Sequence, residues 1–275
     1  MRTTISPKLL TSLWVWICWF SLPGAALLLA SAPVRSQVPE PVATLQQDGP
    51  RILVIQYRAE ARNRAAFHRY LLKEHAAMLR RLRAEHLIMD FRILFTWYRQ
   101  PALWDAMVEL RFDSMEQVAA WNRLEQTQPG GLSRAGLALA QPVLTSSADL
   151  AWSGAKPEDT DTDTSVYYII PYEYRNTAEY VNYAQAYIIP QYEGWLRDGA
   201  LSGYEVLLNR YTVGDPWDVL VVLRYRDIDA YGRRQQVLEK VRSTLKDNAE
   251  WQDYHKRKSD LRTESENSIA GLIAH

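Results

Sequence analysis

Two nine-residue stretches restrict this chain more than any other feature. Trp104–Phe112 reads WDAMVELRF, and Trp217–Tyr225 reads WDVLVVLRY 113 positions later. At the same offset, DFRILFTWYRQPALWDAMVELRF (Asp90–Phe112) lies over GYEVLLNRYTVGDPWDVLVVLRY (Gly203–Tyr225) without a gap. A chance match rarely preserves an intervening turn as well as the strands beside it. The chain therefore reads as two copies of one unit.

Each copy of the match reads as strand, turn, strand. Both arms are rich in β-branched and aromatic residues and are separated by Gln100-Pro101 or Gly214-Asp215-Pro216. Upstream, RILVIQYR (Arg51–Arg58) predicts a strand, and Ala61–Glu85 a helix. In the second copy the strand is Ser165–Tyr174, and the helix starts at an Asn176 or Thr177 cap and ends near Asp198-Gly199. Pro190 is expected to kink or split that helix. Downstream, a helix begins at Asp113 or Ser114 in the first copy and after Asp227 in the second. Further helical stretches, LSRAGLALA and NAEWQDYHKRKSDL, precede last strands near PVLTSSADLAW and SENSIAGLIA. The order per copy is β-α-β-β-α-β, a ferredoxin-like unit. The divisions are residues 51–152 and 165–275 for the two units, with an acidic linker at 153–164.

Residues 1–36 read as an export signal. Arg2 and Lys8 precede the apolar run Leu9–Ala30, small residues follow, and Ser36 is the preferred cleavage position. Retention as an anchor is the alternative, since the run is about long enough to span a bilayer. Residues 37–50 read as a flexible segment, and the expected location is periplasmic or extracellular, with no membrane attachment after cleavage. Cys18, the one cysteine, lies inside the signal, so the exported chain would carry no disulfide and no thiolate metal site. Without Arg2, Lys8 and Arg35, 29 basic residues face 32 acidic ones. That balance disfavours nucleic acid as a partner.

Paired ferredoxin-like units occur in the dimeric α/β barrel superfamily. YIIPQYEGWLRDGALSGYEVLLNRYTVGDPWDVLVVLRY resembles the helix, glycine-ended turn and hairpin of its NIPSNAP-like and stress-responsive members. The resemblance covers residues 51–275 as two copies and brings no set of functional residues with it. It implies an α+β fold in which the two units form a pseudo-dimeric α/β barrel within one chain. Some members of the superfamily bind haem, and others are cofactor-independent oxygenases or isomerases.

Strand alternation supports such closure. One hairpin face carries Phe91, Ile93, Phe95 and Trp97 with Trp104, Ala106, Val108, Leu110 and Phe112, and is expected against the unit's own helices. The other face carries Leu94 and Met107, or Leu207, Leu220 and Val222 in the second copy. It is too apolar to meet water and is expected to face the other copy's sheet. Arg111 and Arg224 hold the same repeat position on that face, with Glu109 and Glu205 as expected partners. Tyr98 and Tyr211 are also equivalent and are candidate ligand contacts. If the charges instead sit at a barrel mouth and pair with one another, they have no chemical role.

His68 and His75 join Leu72, Leu79 and Leu82 in a helical stripe expected to face the core. Each is either a packed histidine or a group facing a ligand. No metal-ligand motif, nucleotide loop or nucleophile elbow is present. His86, matching Gly199, is expected to cap a helix. Tyr180, Tyr183 and Tyr187 read as packing, with the lining of a polar pocket as the alternative, and His255 reads as solvated. The reading that follows is a binding module for a small, partly apolar ligand, with self-association possible. An enzyme, cofactor-independent or haem-dependent, is the first alternative, and a structural protein the second. No cofactor is required by the sequence itself.

Overall fold

A period of two runs through β1 (Ile52–Ala59) and sends Ile52 and Val54 to one face, Ile55, Tyr57 and Ala59 to the other. All five are buried, so this strand is covered on both sides. The computed structural model describes residues 51–100, 103–157, 160–211 and 217–275. The expected signal and the segment up to residue 50 lie outside them.

In the first half, β1 leads to α1 (Arg64–Tyr70), a π turn (Leu71–His75) and α2 (Ala76–Ala84). The hairpin β2 (Asp90–Thr96) and β3 (Ala106–Arg111) follows, then α3 (Met115–Glu125), the short α4 (Arg134–Leu137) and β4 (Ala140–Ala155). In the second half, β5 (Val166–Tyr174) leads to α5 (Thr177–Tyr183), a π turn (Ala184–Ile188) and α6 (Ile189–Arg197). The hairpin β6 (Gly203–Asn209) and β7 (Val219–Tyr225) comes next. Helices α7 (Ile228–Gly232), α8 (Arg234–Leu245) and α9 (Ala249–Leu261) precede β8 (Arg262–Glu264) and β9 (Ser268–Ala274). Ser114, Asn176 and Asp227 cap their helices, each accepting from a backbone N–H three residues on.

The two helical hinges sit at the same offset as the hairpins. Leu71–His75 and Ala184–Ile188 are both π turns, 113 residues apart. Pro190 therefore falls at the start of α6, where its missing N–H costs little. The expected kink is taken up by the π turn, which the first half forms without any proline. A π turn also advances the helix phase by one residue. That shift explains why the expected stripe fails: Leu72 is 45% exposed, while Leu71, His75, Leu79 and Leu82 are buried.

Within the halves the strand orders are β4-β1-β3-β2 and β9-β5-β7-β6, all antiparallel. The halves join reciprocally: β2 pairs with β9, and β4 pairs with β6. Eight strands thus close into a barrel, and β8 extends the edge of β5 beyond β9. β4 is long because it serves two neighbours, β1 up to Ala148 and β6 from Ala148 to Ala155. The fold is α+β, two ferredoxin-like β-α-β-β-α-β units forming one α/β barrel within a single chain.

Leu94, Met107, Leu207, Leu220 and Val222 pack together inside the barrel, as the alternation requires. Each fully covered aliphatic side chain contributes about 1.5–3 kcal/mol. Trp104 and Trp217 also point into this interior rather than toward the helices. They precede the strands, so the alternation counted back through the hairpin does not reach them. Outside the barrel, each half has its own sheet–helix core.

Candidate functional site

Two regions gather polar groups against apolar walls: one mouth of the barrel, and the space between sheet and helices in the second half.

At the barrel mouth, inward positions of β2, β3 and β6 bring Arg92, Glu109, Arg111 and Glu205 together. Arg92 donates to Glu109 at 2.5 Å and Glu205 at 2.6 Å, and Arg111 donates to both carboxylates at 2.7 Å. The two guanidinium groups hold the Glu205 carboxyl down to about 2 against the cost of its burial. Arg224 does not join this network as expected. It pairs with Asp161 from the segment between the halves and with Ser202. A cavity of about 250 Å³ borders Arg92, Glu205 and Arg224. Its charges satisfy one another, and its energetic role is to tie the halves together.

The inward orientation expected of Tyr98 and Tyr211 is corrected by the structure. They are 68% and 54% exposed and lie past the ends of β2 and β6, where alternation no longer holds them inward. Tyr98 lines a cavity of about 230 Å³ with Tyr168 and Tyr231. Asp105 and Asp218 end their turns by accepting from the N–H groups of Ala59 and Tyr174, at 2.9 and 2.8 Å. His86 adopts a positive φ of 55° where its counterpart Gly199 has 80°.

The helical histidines part company. His68 stands edge-on to Phe95 beside an open depression, and burial followed by Arg64 and Arg69 lowers its pKa. His75 is 1% exposed between Tyr57 and Tyr70, and neither ring nitrogen has a hydrogen-bond partner among the described residues. Burial alone lowers its pKa to about 4.

The second region is a cavity of about 300 Å³ bounded by β5, β7, the π turn, α6, α8, α9 and β8. Its walls are aromatic, with Tyr168, Tyr172, Tyr187, Tyr192, Trp195 and Tyr225. Its charges are four cations, Arg234, Arg242, Lys258 and Arg262, against one carboxylate, Glu264. Arg262 lies 3.9 Å over the Tyr172 ring, donates to Tyr183 Oη at 2.8 Å and pairs with Glu264 at 3.1 Å. Arg242 donates to Gln191 Oε1 at 2.9 Å. Lys258 has no ion-pair partner among the described residues. Burial, then Arg242 and Arg262, hold its ammonium below the usual lysine range. Burial outweighs Arg262 and pushes the Tyr183 phenol up to about 12, so it stays protonated.

Of these cavity residues the sequence offered only Tyr187, as the alternative to a packing role, and none of the cations. Tyr180, Tyr183 and Tyr187 do pack in the core as expected, but Tyr187 also lines the cavity. His255 is half-buried rather than solvated and bonds to Tyr187. The useful signal was the cationic run HKRK at 255–258, which reads as a solvated face until β8 folds back beside it.

Haem is poorly served by this cavity. Its lining supplies no histidine, methionine or cysteine, and of its tyrosines, whose oxygens can also bind the iron, burial keeps Tyr172, Tyr187 and Tyr192 protonated. His68 and His75 belong to the other half, and His75 is enclosed by packed rings. Among the described residues no group of three or more His, Cys, Asp or Glu is placed to hold a metal ion. Among them, too, no helix is long and apolar enough to cross a membrane.

No family model matches the sequence, and no curated protein matches it. Solved structures do match. An anthrone oxidase-like protein aligns at 9% identity over 84% of this chain and 93% of its own, with a TM-score of 0.50. A chlorite dismutase variant from Candidatus Nitrospira defluvii aligns at 9% identity over 84% and 94%, with a TM-score of 0.48. An encapsulated DyP-type peroxidase from Mycobacterium smegmatis aligns at 11% identity over 86% and 96%, with a TM-score of 0.45. At these identities the likeness speaks to the fold alone: a ferredoxin-like dimeric α/β barrel, here with both halves in one chain.

Proposed function

We propose that this protein is an exported α/β-barrel protein, descended from a duplicated NIPSNAP-like unit, that binds a small aromatic anion in the second half. The observation that carries the reading is the cavity's composition: aromatic walls with four cations against one carboxylate. A ligand pocket is mostly apolar with a few polar groups that orient its guest. Here the uncompensated positive charge calls for a carboxylate or phenolate on that guest, and the stacked tyrosines call for a ring. The barrel mouth supports ligand binding less, because its arginines are already neutralised.

Calorimetry with phenylpyruvate and its methyl ester tests this. The acid is expected to bind and the ester to bind at least about tenfold more weakly, since a charge-assisted hydrogen bond contributes roughly 1.5–3 kcal/mol. Lys258→Met is expected to weaken the acid by a similar factor. Equal affinity for acid and ester, or an unaltered Lys258→Met, defeats the proposal. Haem is a rival occupant of the chain, and protein purified with a Soret band favours it instead.

A further inference from the structure

One lining residue of the cavity, Tyr187, is paired with a histidine outside the lining, a contact that binding does not require. Tyr187 Oη lies 2.9 Å from His255 Nδ1. Tyr187 is on the cavity wall. His255, on α9, is half-buried and so keeps a route for protons to solvent. Its ring stacks on Trp251, with centroids 5.1 Å apart and planes 15° from parallel.

The neighbouring elements fix the protonation state of this pair. The charged groups acting on His255 are Lys258 on its own helix and Arg242 on α8. Those acting on Tyr187 are Arg242 and, from β8, Arg262. Burial, then Lys258 and Arg242, hold the imidazole below its ordinary value, so it is neutral at neutral pH. Burial outweighs the two arginines at Tyr187 and keeps its phenol protonated. The phenol therefore donates to Nδ1, His255 carries its proton on Nε2, and the phenol oxygen retains lone pairs. Tyr183 offers an instructive contrast: its partner is Arg262, which can only donate. Of the two, only Tyr187 can pass a proton onward.

The backbone holds Tyr187 in place. The Tyr187 carbonyl accepts from Gln191 Nε2 at 2.8 Å and Trp251 Nε1 at 3.3 Å. In the first half the matching position is Glu74, which is exposed.

We propose that Tyr187 and His255 form a proton relay that makes this cavity a cofactor-independent keto–enol isomerase site for aromatic oxo acids, a proposal that rests on the binding reading above. The C–H bond beside the substrate carbonyl breaks, and its proton moves to Tyr187 Oη. The proton already on Tyr187 moves to His255 Nδ1. The C–H electron pair becomes the C=C bond of an enolate, whose charge Arg242, Lys258 and Arg262 stabilise. The proton on His255 returns through Tyr187 to the enolate oxygen and gives the enol. Nothing is oxidised or reduced, and no co-reactant enters. Tyr187 is the catalytic residue, and His255 is a positioning residue that acts through it.

The test uses the full-length protein with phenylpyruvate in D₂O, following exchange of its benzylic protons by NMR and its affinity by calorimetry. The wild type is expected to speed exchange over buffer. Tyr187→Phe and His255→Asn are expected to slow that rate about a hundredfold, a usual loss for a general acid–base group, with affinity nearly unchanged. The acid limb of the rate profile, below the ordinary histidine range, is expected to vanish in His255→Asn. If Tyr187→Phe folds poorly, His255→Asn and His255→Gln decide the matter. Phenylpyruvate that binds but exchanges at the buffer rate, or variants that keep the wild-type rate, overturn the relay and leave the binding reading intact. Phenylpyruvate that does not bind overturns both.

Discussion

The two halves share a fold down to the position of a π turn, yet one has closed its sheet–helix space and the other has kept it open. In the first half, α3 presses Trp121 against Gly131, where a Cβ would come within 2.5 Å of the indole. Gly131 also has φ at +71°, which a residue with Cβ resists. Tyr57 closes the far side by donating to the Gly130 carbonyl at 2.5 Å. In the second half, α8 meets α6 at Gly194, where Val241 leaves no room for a Cβ. Helix α9 and β8 then stand over the remaining sheet and line the cavity with cations. The contrast teaches that one backbone plan tolerates either packing or binding in the same place, according to what the later helices bring.

Four substitutions break or sharpen this comparison. The largest effect is expected where the halves meet. Glu109→Ala strands Arg92 and Arg111, which are 12% and 26% exposed, beside a single remaining carboxylate. Removing one partner of a buried network costs about 3–5 kcal/mol. Urea unfolding measures it, and a loss below about 1 kcal/mol means the network does not hold the halves together.

Next comes His75→Ile, which gives the first half the residue that the second carries at Ile188. The folded imidazole titrates at about 4 against an ordinary 6.5. As pH falls through that window the unfolded chain takes up the proton first, so the His75 contribution is complete above 6.5 and declines toward 4. The decline amounts to about 3 kcal/mol. The stability advantage of the isoleucine chain is expected to widen by that amount on acidification. Parallel pH curves for the two chains refute the account.

The smallest effect concerns the helix ends. His86→Gly removes a left-handed residue with a side chain and is expected to raise stability by up to about 1 kcal/mol. Gly199→Ala is expected to lower it by at least as much. Thermal melts give both, and a destabilised His86→Gly contradicts the assigned strain.

The hairpins, the β-α-β-β-α-β order and the inward Leu94, Met107, Leu207, Leu220 and Val222 were legible because strand alternation is local. Arg111 with Glu109 and Glu205 was legible for the same reason. Tyr98 and Tyr211 were misread because the alternation was carried past the ends of β2 and β6. Leu72 was misread because a π turn leaves no mark in a 3.6-residue pattern. A sheet–helix cavity with tyrosines and a few charges was legible as one of two places for a ligand, but its cations were not. Tyr187 looked like packing and Lys258 like a solvated charge until distant segments brought them to one wall.

Sequence alone determined that there are two matching units and which strand faces need cover, since repetition and two-residue periodicity act through neighbours along the chain. Tertiary structure decided which sheet–helix space remains open and which charges stay uncompensated. Those depend on where α3, α8, α9 and β8 come to rest, and that is settled by contacts between residues far apart in the chain.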